Sequence, residues 1–107
     1  MTEIRLVKGD VNYTLEFTIY DSDNNIVDLS EVTSIRLKIK KYGESSLFAD
    51  IQGNVIGDGK DGKCEFPIGE TFKDSVGEFK AEIEITYSSG KVLTAPEIAI
   101  KVIPDLG

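Results

Sequence analysis

The feature that most constrains this chain is a strict two-residue alternation over residues 79–87, in which Phe79, Ala81, Ile83, Ile85 and Tyr87 take turns with Lys80, Glu82, Glu84 and Thr86. Successive side chains of an extended strand point to opposite faces, so this period puts an apolar row on a core and a charged row in water. Tyr13, Leu15, Phe17 and Ile19 alternate in the same way with Thr14, Glu16 and Thr18. Ile35, Leu37 and Ile39 do so with Arg36, Lys38 and Lys40, giving a strand with a basic outer row. Shorter alternations run through Ile4 and Leu6, through Cys64, Phe66 and Ile68, and through Ile98, Ile100 and Val102. Residue usage agrees: 13 Ile and 8 Val stand against 7 Leu and 4 Ala, and β-branched side chains suit a pleated, half-buried surface better than a helix.

Turn signals separate these runs. Asp21-Ser22-Asp23-Asn24-Asn25 predicts a reversal into Ile26 and Val27, because Asx side chains cap turns and tolerate left-handed backbone. Residues 28–33 predict one helical turn, with Asp28 or Ser30 as N-cap and Leu29 and Val32 against the core. Residues 42–46 read as loop, and Leu47 to Ile51 and Gly53 to Ile56 as further strand segments broken at Gly53. Residues 57–62 form a glycine-dense reversal, Pro67 marks its strand as edge-like or terminal, and residues 69–76 have no clear period. Ser88 to Lys91 closes a hairpin into Val92 to Thr94, and a last strand follows Pro96. Seven to nine short strands with no long amphipathic helix predict an all-β fold, an immunoglobulin-like antiparallel β-sandwich, with barrel closure as the other arrangement. A chain of 107 residues supports one core. A single domain over 1–107 with a loose end at 104–107 is expected.

The chemistry is bounded by what is missing. Without His, His-based triads, His proton shuttles and His-bearing zinc sites are impossible. The single Cys64 has no intramolecular disulfide partner and no His to activate it, and its phase with Phe66 predicts a small buried hydrophobe. A net charge of −7 opposes nucleic-acid backbones and anionic bilayers, so neither is an expected partner. No apolar run approaches a signal peptide or a membrane span, which predicts a soluble protein not exported by a cleaved signal. No cofactor is expected.

Five local patterns invite functional readings. Asp21, Asp23 and Asn25 offer oxygens at alternate positions, as a hard cation requires, but the later Gly and bidentate Glu of a calcium loop are missing, so a solvated Asx turn is favoured over a metal site. Asp58 and Asp61 sit among glycines that suit a tight reversal, and Lys8-Gly9-Asp10 reads as a turn in preference to an adhesion tripeptide. Glu82 and Glu84 share a strand face and could flank a sugar as acid and base, yet Lys80 beside them suits an ordinary solvated face. The rows Arg36, Lys38, Lys40 and Glu78, Lys80, Glu82, Glu84 have opposite character, basic on one strand and largely acidic on the other. Opposite-sign faces can steer a protein partner or a second copy, which makes these seven residues the candidate interaction set.

Taken in order, these segments resemble the N-terminal domain of phage upper baseplate proteins and related virion modules. The likeness rests on Lys8-Gly9-Asp10 before the Tyr13 to Tyr20 strand, the Asp-Asn turn, Val27-Asp28-Leu29 and Ile35-Arg36-Leu37-Lys38-Ile39. It continues in Gly77-Glu78-Phe79-Lys80-Ala81-Glu82-Ile83-Glu84-Ile85-Thr86-Tyr87 and Ser89-Gly90-Lys91-Val92-Leu93-Thr94-Ala95-Pro96. It covers about residues 6–103 and carries no catalytic signature. Phe79 stands where the family more often has Tyr, and the chain ends at Gly107, where larger members continue toward receptor-binding regions.

What the resemblance implies is a non-enzymatic structural adaptor of a phage tail, baseplate, neck or capsid. It would be assembled in the bacterial cytoplasm, repeated by the particle's symmetry and bound to other virion proteins or to copies of itself. The competing expectation is a carbohydrate- or ligand-binding sandwich of cell-surface type. That reading requires an aromatic platform, and the chain has no Trp and places most aromatics in core phase.

Overall fold

The computed structural model describes residues 2–105 and contains eight strands: β1 (Thr2–Val7), β2 (Thr14–Thr18), β3 (Val32–Lys41), β4 (Leu47–Gln52), β5 (Asn54–Val55), β6 (Lys63–Pro67), β7 (Gly77–Tyr87) and β8 (Val92–Ile103). They form two sheets, one of five strands in the order β1-β8-β7-β3-β4 and one of three in the order β2-β6-β5. The apolar rows read from the sequence meet between them. Ile35, Leu37, Ile39, Phe79, Ile83, Ile85, Ile100 and Val102 line the large sheet's inner face, Cys64 and Phe66 the small sheet's, and Leu29, Ile68 and Phe72 close the ends. No polar or charged residue among the described ones is buried. The core therefore rests on apolar burial and dispersion.

Several expectations change. The sandwich is not wholly antiparallel, since β1 runs parallel to β8 with Thr2 beside Ile98 and Val7 beside Ile103. Residues 28–33 make no helical turn. The Leu29 amide donates to the Gly59 carbonyl, the Asp28 carboxylate accepts from the Ser30 amide, and Val32 already belongs to β3. Pairing across the fold thus claims the Leu29 amide, while the Val32 amide donates back to the Leu29 carbonyl, so the segment is a single tight turn capped by Asp28. The runs before and after Pro96 are one strand, because Ala81 faces Ile98 and Ile83 faces Ala95, leaving two residues of β8 opposite Glu82. This bulge holds Glu97 at φ 65° and accommodates a proline that has no N–H for a ladder. Pro67 is the last residue of β6, which is the central strand of its sheet, so it is terminal and not edge-like. Leu106 and Gly107, half of the expected loose end, lie outside the described residues.

Two local devices position the strands. Gly53 carries the chain from the large sheet to the small one, and a Cβ there would run into the Phe66 ring and the Glu65 carbonyl, so glycine is required by the close approach. In β4, Ile39 faces Ala49 and Lys40 faces Leu47, which makes Phe48 the extra residue of a bulge. The bulge turns the Phe48 ring toward Phe79 and Phe72, at centroid distances of 4.7 and 5.7 Å.

Candidate functional site

The two charged rows proposed from sequence are neighbours on one surface. β3 and β7 are adjacent antiparallel strands that set Arg36 opposite Glu84, Lys38 opposite Glu82 and Lys40 opposite Lys80. Lys38 Nζ reaches Glu84 at 3.1 Å, and Arg36 Nε donates to Asp50 of β4 at 2.8 Å. Half-exposed pairs of this kind contribute about 0.2–1 kcal/mol each and weaken with salt. Lys80 lies 5.1 Å from the Tyr42 ring centroid, and Glu78 stands opposite Lys101. Three of the seven candidates, Arg36, Lys38 and Glu84, are thus answered by ion pairs across strands within the chain.

The outer face of the large sheet is close to neutral: Arg5, Arg36, Lys38, Lys40, Lys80 and Lys101 are balanced by Glu3, Asp50, Glu78, Glu82, Glu84 and Glu97. The excess of negative charge therefore sits on the small sheet and the loops. One uncompensated contact remains on the large face, the like-charge pair Lys40 and Lys80, flanked by Leu47 and Ala99.

The other sequence candidates resolve into structural roles. Asp21 Oδ1 accepts from the amides of Asp23 and Asn25, both at 2.9 Å, so this carboxylate organises the Asx turn. Among the described residues no group of three or more His, Cys, Asp or Glu side chains is placed to hold a metal ion. Asp58 likewise accepts from the Lys60 amide, and Lys8-Gly9-Asp10 forms a turn in which the Asp10 amide donates to the Val7 carbonyl. Burial pushes the Cys64 thiol up to about 12, and its Sγ lies 3.8 Å from the Phe17 carbonyl as a weak donor. Such a thiol is no nucleophile at neutral pH. Tyr20 and Tyr42 are both exposed, at 55% and 63%, but they stand on different connections and form no platform.

The surface that sequence reasoning missed lies where the two sheets part. β1 covers β8 only from Ile98 onward, leaving Val92–Glu97 with no strand on the side away from β7 among the described residues. β2 is the outermost strand of its own sheet. Ile19 donates its amide to Gly62 on the β6 side, and by strand alternation Glu16 and Thr18 direct their amide and carbonyl groups to the free edge. Between these edges lies a cleft of about 870 Å³ lined by residues of both, including Phe17, Thr18, Leu93 and Ala95, above the buried Ile83 and Ile85.

The sequence profile described as the BppU N-terminal domain matches residues 1–106. No curated protein matches. Among solved structures that match, one titled "Solution structure of the PKD domain from KIAA 1837 protein" is 10% identical, over 100% of this chain and 85% of that one, at a TM-score of 0.46. A likeness at that score carries no argument about fold or function.

Proposed function

The chain belongs to the family of BppU N-terminal domains, non-enzymatic structural domains of phage baseplate assemblies, and from that premise we propose a single-domain adaptor of immunoglobulin-like topology, held in a phage particle by neighbouring virion proteins. The family match over nearly the whole chain is the observation that carries this reading. The topology is supported by the strand order. β8, β7 and β3 form the middle of one sheet, β4 extends it, and β2, β6 and β5 make the other, as in a variable-type sandwich whose first strand has moved beside the last.

Copies repeat with the symmetry of the particle and are assembled in the bacterial cytoplasm, where an unpaired Cys64 is stable. Of the charged outer face, Lys40, Lys80, Glu78 and Glu82 make no ion pair among the described residues, and they orient neighbours by charge more than they bind them. Quantitative mass spectrometry of purified particles of the encoding phage should find the chain in a fixed ratio to the tail proteins. Its absence from those particles would remove this reading.

A further inference from the structure

We propose that the cleft between β2 and β8 is a strand-acceptor site, filled in the particle by an extended segment of another virion protein that is apolar at alternate positions and carries Lys or Arg between them. The inference rests on the structural-adaptor reading above and deepens it by naming the site and the chemistry of the partner.

Main-chain hydrogen bonding points to the kind of ligand. Two strand edges whose outward backbone groups have no strand partner among the described residues line one cleft, and an edge left open is a template for another strand. The uncovered part of β8 before its bulge, residues 92–95, offers about 13 Å of extended chain. The direction of the guest follows from the loops. Lys8 bonds Ile103, Gly9 bonds Lys73 and Asn12 bonds Gly69, so β2 begins at the end of the sandwich where β8 finishes and runs in the opposite sense. A guest antiparallel to β2 is therefore parallel to β8 and continues the line that β1 takes from Thr2. The antiparallel ladder on β2 is the stronger of the two pairings.

Side-chain chemistry narrows it further. The cleft is apolar at Phe17, Leu93 and Ala95, so every second residue of the guest meets hydrocarbon. Its lining includes the carboxylates of Asp21 and Glu97 and no Lys or Arg, which favours basic residues at the guest's outward positions and disfavours acidic ones. The bulge at Pro96 and Glu97 closes the site at the point where β1 begins to cover β8.

The test compares hydrogen exchange in the isolated domain with exchange in purified particles, read on peptides spanning Thr14–Thr18 and Val92–Glu97. Exchange at Glu16, Thr18 and the upper β8 amides should slow about tenfold or more in the particle, while β3 amides at Arg36 to Lys40 stay as they are. Equal rates at the seam in both states would overturn the inference and leave the virion role standing, whereas absence of the chain from the particle would remove the role itself. A photo-cross-linker placed at Tyr20 identifies the guest. It should capture an alternating apolar and basic segment of a different virion protein, and capture of a second copy of this chain, of the chain's own residues or of an acidic segment overturns the assignment.

Discussion

The outer face of the large sheet and the seam between β2 and β8 are both exposed, yet they differ in what they leave unanswered. On the face, the backbones of β7 and β3, and of β8 from Ile98 onward, have strands on both sides, and Lys38 and Arg36 find carboxylates on Glu84 and Asp50. At the seam, charge is sparse, but two runs of backbone lack a strand among the described residues and an apolar floor lies beneath them. Exposed ion pairs contribute little, while an unpaired edge beside apolar surface gains both hydrogen bonds and burial when a strand arrives. A surface dense in charge can thus be nearly self-sufficient. A surface nearly free of charge can be the one that needs a neighbour.

Substitutions can break or sharpen this contrast. The largest expected effect is on Ile83, which forms the floor of the seam, against Glu82, its neighbour on the outer face. Ile83→Ala should cost about 2–5 kcal/mol in denaturant unfolding through lost burial and a cavity. Glu82→Gln should change stability by no more than about 0.5 kcal/mol. Comparable costs at both positions would mean that the outer face is part of the fold's foundation and would erase the contrast.

Cys64, buried opposite Phe17 of the seam, tests whether the core beneath the cleft is dry. Burial raises its thiol to about 12 from an ordinary 9.0, and burial also raises Tyr13, with Asp10 adding to it, and Tyr87, with Asp28 adding to it. Each of these groups is held neutral in the folded state. The stability they contribute is fully present below pH 9.0 and is lost as pH rises toward about 12, because the unfolded chain releases its protons first. Thermal melts should therefore fall on the alkaline side, and the thiol of the folded protein should resist a maleimide reagent at pH 8. Rapid labelling without unfolding would show that solvent reaches β6 through the cleft.

The smallest effect concerns Lys38 and Glu84. A double-mutant cycle to alanine should return a coupling of about 0.2–1 kcal/mol that shrinks in high salt. A coupling well above that range would make the face a structural network instead of a screened surface.

Much of the fold was legible. The alternations at 13–19, 35–39 and 79–87 became β2, β3 and β7 with their apolar rows inside, and the Asx turn at residues 21–25 forms as its side chains dictate. What was not legible depends on partners distant in sequence. The 28–33 segment has the residues of a helical turn, but with the Leu29 amide drawn to the Gly59 carbonyl it makes only one tight turn, Val32 to Leu29, before β3 extends it. Arg36 and Glu84 read as opposing faces until the register sets them side by side. The seam was invisible for the same reason, since an edge is defined by the strand that is missing from its side. No residue type announces it.

The contrast is tested most directly by incorporation into particles. Phage carrying Ala95→Arg, which puts a positive charge into the seam, should be compared with phage carrying Lys40→Glu on the outer face, after both isolated domains are shown to melt near the parent temperature. The seam substitution should lower the amount of chain recovered in purified particles by about tenfold or more, equivalent to at least about 1.4 kcal/mol, and the face substitution by less than about threefold. The reverse order would contradict the account and make the charged face the surface that holds this domain in place.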